Sequence, residues 1–145
     1  MRTRKVSTLW QVDERSVSNS VMHKIIVGVF NPGETPADNG RTIHALKLTQ
    51  RLHAESADVE LLFEGQGVQW LPRLTHRTED SHPFDRHYGS VFDEVRSLAR
   101  ACNMCCIRFD VLDAVREAKI PILGTGREHV DIARYVLDGY QIINH

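Results

Sequence analysis

The chain has 145 residues, 41% of them hydrophobic and 26% charged, which suits one globular domain with its own core and is too short for two. Its 18 Lys and Arg stand against 19 Asp and Glu, so a net charge of -1 makes no electrostatic case for an obligate nucleic-acid or membrane partner. No apolar run approaches the length of a bilayer and the first residues lack the apolar stretch of a signal peptide, which predicts a cytoplasmic protein whose thiols rest reduced.

Residues 1–21 are polar and charged, with Leu9 and Trp10 as their few apolar anchors, and read as an extension ahead of a domain spanning 22–145. From His23 onward Ile25, Ile26, Val27, Val29 and Phe30 form a nearly continuous apolar run, the mark of a buried parallel strand. Asn31-Pro32-Gly33 turns the chain, and a loop is expected through Pro36 to Asn39-Gly40. An amphipathic helix is predicted over Arg41 to Glu55, with Ile43, Ala45, Leu46, Leu48 and Leu52 at helical spacing. Val59 to Phe63 is the second strand. Gly65-Gln66-Gly67 closes it as a tight turn, since the rest of a dinucleotide fingerprint is missing. Val68, Trp70 and Leu71 begin a short helix, with Trp70 as a core or interface anchor.

Residues 73–88 are polar and hold His76, His82 and His87, which predicts a surface or active-site loop. His82-Pro83 starts a helix expected to run to Ala101 on Phe84, Tyr88, Val91, Phe92, Val95 and Leu98. Asp110 is placed as the cap of a helix over Val111 to Ala118. A short strand follows around Ile120, Ile122 and Leu123. Gly124-Thr125-Gly126 then leads into a helix opened by a Thr125/Glu128 capping box, with Val130, Ala133, Tyr135 and Leu137 on its buried side. Gly139 ends that helix, and Tyr140, Ile142 and Ile143 make the last strand. Alternating strands and helices predict an α/β sandwich with a parallel sheet, whose sites lie where strands end and helices begin.

All three cysteines fall within five positions, as Cys102, Cys105 and Cys106. On a helix, Cys105 and Cys106 stand three and four residues beyond Cys102, so the three share one edge of its first turn. Free N–H groups, the helix dipole and Arg108 are expected to favour the thiolate there, giving a nucleophile, redox partner or metal ligand. Three clustered thiols in a reduced protein favour function over simple packing, although buried unpaired cysteine is common. His129, beside the Gly124-Thr125-Gly126 turn, lies near the same expected edge. His23, His44 and His53 read as structural.

The order and spacing of three segments resemble the DsrE-like family of sulfur-relay proteins over residues 23–144: Val-Glu-Leu-Leu-Phe-Glu-Gly-Gln-Gly-Val at 59–68, Ala-Cys-Asn-Met-Cys-Cys-Ile-Arg-Phe at 101–109, and Asp-Gly-Tyr-Gln-Ile-Ile at 138–143. The resemblance implies a three-layer α/β/α sandwich around a five-stranded, mainly parallel sheet, assembly as a homo-oligomer (trimer or hexamer), and sulfur carried as a persulfide. Cys102 matches the carrier position, Arg108 the arginine after it, and Cys105 the second cysteine of a C-x-x-C subgroup. Cys106 matches no family position. The extension is foreign to the family, and Phe109 and Asp110 stand where a glycine often follows the arginine.

Three functions follow. In the first, a sulfur carrier or sulfurtransferase exchanges sulfur with a donor or acceptor protein through Cys102, with Cys105 or Cys106 resolving the persulfide; Arg108 and a histidine of the polar loop lower the thiol pKa, and no cofactor is involved. The second is a metal site on Cys102 and Cys105 completed by His82, with Cys106, His76 and His87 as further donors. The third is a non-enzymatic oligomeric module that binds a ligand or partner. No G-x-S-x-G and no G-x-x-x-x-G-K-[ST] occurs, which disfavours serine-hydrolase and P-loop chemistry.

Overall fold

The structure, a computed structural model, describes residues 21–145; the extension expected over 1–21, with Leu9 and Trp10, lies outside them but for Val21. Five strands, β1 (Lys24–Val29), β2 (Asp58–Phe63), β3 (Ala99–Cys102), β4 (Ile122–Leu123) and β5 (Gln141–Asn144), form one sheet in the order β4-β3-β2-β1-β5. Every pairing is parallel. The helices are α1 (Pro36–Ala54), α2 (Trp70–Thr75), α3 (Pro83–Val95), α4 (Asn103–Arg108), α5 (Leu112–Glu117) and α6 (Ile132–Leu137).

Alternation along β2 sorts the helices into two layers. Phe63, in line with Val59 and Leu61, meets Phe92 of α3 edge-on at 6.1 Å. Glu60 and Asp58, which point the other way, accept hydrogen bonds from Tyr135 of α6 and from Tyr140 (2.7 and 2.8 Å). With α1 and α2 packed on α3, and α5 on α2, these helices lie on one face, and among the described residues α6 lies on the other. This is the expected α/β sandwich. Its core joins Ile25, Val27 and Val29 of β1 to Leu46, Leu61, Phe63, Trp70 and Phe92. Trp70 is wholly buried, and its Nε1 donates to Asn31 Oδ1 at 2.9 Å.

Several boundaries differ from the sequence expectations, each for a local reason. Helix α1 begins at Pro36, so the loop expected over Pro36 to Gly40 is helix: Thr35 caps it by accepting from Asp38 N, and the Asp38 carboxylate takes the N–H of Thr35 in return. Helix α2 runs to Thr75, which takes Arg73 out of the polar loop and pairs it with Asp85 at 2.8 Å. Helix α3 stops at Val95 and does not reach Ala101; the chain crosses a 3₁₀ turn at Arg96–Leu98 and enters β3. Ala99-Arg100-Ala101 carries no strand propensity, and pairing with β2 and β4 on either side overrides its helical bias.

Asp110 does not cap a helix: it sits at φ 54, and α5 starts from Val111 without a side-chain cap. Thr125 and Glu128 do bond each other, but in a turn ahead of α6, whose cap is Asp131. Ala133 is exposed and Leu137 is 82% exposed, against the burial expected for both. Among the described residues no helix is long and apolar enough to cross a membrane.

Candidate functional site

Cys102 is the last residue of β3 and pairs in register with Leu123, the last of β4. The cysteine segment and the Gly124-Thr125-Gly126 turn therefore leave the sheet side by side at its carboxyl edge, as strand ends in open α/β sheets do. Cys102 takes the N-cap position of α4 and is wholly buried.

Cys105, in the first turn of α4, is also buried, and its Sγ accepts a hydrogen bond from Gly65 N at 3.1 Å, just past the end of β2. The turn after β4 brings the third group. Asn103 Nδ2 donates to Gly126 O at 2.8 Å and Met104 N donates to Glu128 O at 3.1 Å, which lays the turn across the start of α4. Gly124, at φ 101, lets the chain double back so closely that Glu128 O lies 2.6 Å from where a Cβ would stand. His129 is thereby delivered with Nδ1 3.3 Å from Cys102 Sγ and 3.5 Å from Cys105 Sγ. One ligand atom from each of the three residues lies within 4.8 Å of the others.

Cys106 points into the core, fully buried, and does not join this trio. Burial pushes its thiol up to about 12, with the neighbouring sulfurs adding to the shift.

The thiol chemistry departs from expectation. Cys105 is pushed up to about 12, first by burial and next by donating its S–H to Cys102; the Gly65 N–H opposes this in part, and the charges of Cys102 and Glu64 reinforce it. At neutral pH Cys105 is therefore a thiol that offers a proton to the sulfur of Cys102. Arg108, exposed in the last turn of α4, supplies none of the interactions acting on Cys105 or Cys106, and Met104 N is already spent on Glu128. The three histidines of the polar stretch are engaged elsewhere: His76 faces Glu117 at 3.4 Å, His82 caps α3 by accepting from Phe84 N, and His87 stands edge-on to Tyr88 at 4.7 Å. His129 takes the place expected of His82 beside Cys102 and Cys105.

Three participants had no sequence signal. Asn103 is a buried amide that ties the His129 turn to α4. Gly65 reads as a plain turn glycine, yet its N–H meets a thiol. Glu64 follows β2 directly; continuing the register of Phe63 with Ala101 by one residue sets it beside Cys102 on the same face of the sheet, and burial raises its carboxyl above the usual range.

No family model matches the chain. It is 26% identical over 101 residues to the uncharacterized protein MJ0733 of Methanocaldococcus jannaschii, a match spanning 70% of this chain and 77% of that protein. Its fold is similar to that of BT1422, a conserved protein of unknown function from Bacteroides thetaiotaomicron, with a TM-score of 0.52 and 13% identity over 83% of this chain and 94% of that one.

Proposed function

We propose that Cys102, Cys105 and His129 form a sulfur-carrier site of the kind the DsrE-like resemblance implies. The observation that carries this reading is the position of His129 Nδ1, within 3.5 Å of both sulfurs. An imidazole so placed takes the proton of the attacking thiol and returns one to the departing sulfur. Cys105, held as a thiol, supports the sulfur of Cys102 by its S–H and waits as the resolving group.

The reaction needs no external oxidant. Cys102 sulfur attacks the outer sulfur of a donor persulfide; a new S–S bond forms, the donor's S–S bond breaks, and the donor leaves as its thiol. Cys105 then attacks Cys102 at the inner sulfur, forming the Cys102–Cys105 disulfide and releasing the carried sulfur as hydrogen sulfide, so one sulfur is reduced while two thiols are oxidised. Transfer to an acceptor thiol in place of Cys105 gives a relay.

Intact mass spectrometry after incubation with inorganic polysulfide tests this. Cys105→Ser, which cannot resolve the persulfide, gains one sulfur and Cys102→Ser does not, while the wild type ends as the Cys102–Cys105 disulfide, two hydrogens lighter, with hydrogen sulfide released. A gain that survives Cys102→Ser, or no gain in Cys105→Ser, removes the reading. A second reading rests on the donor set itself: two cysteines and one histidine within 4.8 Å match three of the four ligands that zinc takes, with the fourth position left to water or substrate. Metal content measured on the same sample separates the two.

A further inference from the structure

Helix α6 turns an apolar ridge to solvent. Ile132 and Tyr135 pack inward, yet no residue of α6 is buried. Ala133 and Leu137 stand one turn apart on the outward side, both exposed, with Val136, 54% exposed, beside them. Arg134 and Asp138, also one turn apart, line the neighbouring ridge.

The start of the described chain widens this patch. Lys24 Nζ donates to Asp138 O at 3.2 Å and lies 5.5 Å from the centre of the Tyr140 ring. Val21 and Met22, just ahead of Lys24 and both exposed, therefore enter beside the end of α6. Four of the seven large hydrophobic residues that are exposed among the described residues thus gather at one place: Val21, Met22, Val136 and Leu137. A contiguous apolar patch marks an interaction site, whereas apolar residues scattered singly over a surface do not.

The charged ridge identifies the occupant. Arg134 pairs with Asp138 at 3.5 Å, with both side chains more than half exposed, so the pair contributes little within one chain. Its order also opposes the helix, since the cation stands nearer the positive end of α6 and the anion at the negative end. A second α6 laid antiparallel to the first reverses both defects. Arg134 then meets the partner's Asp138 at the negative end of the partner helix, and Asp138 meets the partner's Arg134, so the face complements itself about a two-fold axis. We infer that α6 is the face on which two copies of this chain pair, with Leu137 near the axis and Arg134 and Asp138 exchanged between them. The phenols of Tyr135 and Tyr140 hold α6 to Glu60 and Asp58, so the face is formed before pairing. Lys24 and Asp58 begin β1 and β2, whereas Cys102 ends β3 of the same parallel sheet, so the patch lies towards the edge opposite the thiols. The inference therefore stands apart from the carrier reading.

Sedimentation velocity tests it. The wild type forms a dimer, or a larger assembly built from dimers, in the micromolar range. Leu137→Glu, at a position 82% exposed, raises the dissociation constant about a hundredfold, because two leucines lose their burial and two carboxylates meet. Arg134→Asp and Asp138→Arg each set like charges face to face across the axis and weaken pairing about tenfold. Mixed in equal amounts, these two variants recover the wild-type constant as a heterodimer, since the acids of one meet the bases of the other. Far-ultraviolet circular dichroism of each variant matches the wild type, which separates lost pairing from lost folding. A wild type that stays monomeric, an assembly that Leu137→Glu leaves intact, or a mixture no tighter than its components overturns the inference.

Discussion

Asn103 donates its side-chain amide to the carbonyl of Gly126 at 2.8 Å, and that bond fixes the turn carrying His129 over two buried thiols. Cys102 is wholly enclosed, so a donor reaches it only when a covering segment moves, and this turn lies across the start of α4. Asn103→Ala removes a bond worth about 1 kcal/mol and leaves Gly126 O without its partner, which raises the open population about fivefold. Iodoacetamide modification of Cys102 and Cys105, followed by peptide mass spectrometry, should speed up by that factor. An unchanged rate means the turn is not what guards the thiols.

His129 Nδ1 stands against both sulfurs, at 3.3 Å from Cys102 Sγ and 3.5 Å from Cys105 Sγ. His129→Ala should slow sulfur uptake from inorganic polysulfide at neutral pH about 10²-fold, the scale of a lost general base. Added imidazole restores part of the rate if the ring acts as a base, and none of it if the ring merely packs. His129→Ala uptake at the wild-type rate would falsify the assignment.

The balance between what was legible in the sequence and what was not follows from how local each signal is. Val27 and Leu61 sit in apolar runs that only buried strands explain, so β1, β2 and the α/β class were readable. Strand β3 was not, because Ala99-Arg100-Ala101 holds no β-branched or aromatic residue and becomes a strand only by pairing with β2 and β4 on either side. The site divides in the same way. Cys102 and Cys105 announced themselves by spacing, and Cys106 by that criterion looked equal to them, yet one helical position turns it into the core. His129 lies 27 residues from Cys102, and the bonds that bring it there start from Asn103 and Met104, whose partners are backbone carbonyls that leave no mark in a sequence.

Helix α6 and the turn after it are tied to the sheet through two phenols, Tyr135 to Glu60 and Tyr140 to Asp58. Both hydroxyls are pushed up from their ordinary value, first by burial and then by these carboxylates; Tyr140 rises from 10.0 to about 12 and Tyr135 rises too. A phenol whose folded pKa lies above its unfolded one holds its proton longer in the folded state. Its contribution is complete below about pH 10 and drains away as pH rises towards about 12. Thermal midpoints should therefore fall across pH 10 to 12. Tyr140→Phe should start lower and show a shallower fall, and a slope identical to wild type would remove Tyr140 from the account.

Gly67 crosses directly beneath β1, and a Cβ there would overlap the carbonyl oxygen of Val29, itself bonded to Glu64 N. Backbone is on both sides, so nothing can swing aside. Gly67→Ala should cost about 3 kcal/mol or more, as forced overpacking in a core does, whereas Gly40→Ala, with open space around it in α1, should gain up to about 1 kcal/mol from helix propensity. Urea titrations of the two variants check the contrast, and equal stabilities would mean that the crossing at Val29 relaxes.

The donor set of Cys102, Cys105 and His129 makes sulfur loading and metal binding mutually exclusive, since both use the same sulfur lone pairs. Zinc binds thiolates, so it must strip the proton that Cys105 holds up to about pH 12, and its binding should release protons and tighten as pH rises. Stoichiometric zinc should protect Cys102 and Cys105 from alkylation and block the gain of sulfur, and a chelator should reverse both effects. His129→Ala should weaken zinc at least tenfold, the scale on which even outer-shell partners of a metal ligand act. If zinc at one equivalent leaves sulfur uptake unchanged while staying bound, its ligands lie elsewhere and the trio serves sulfur alone.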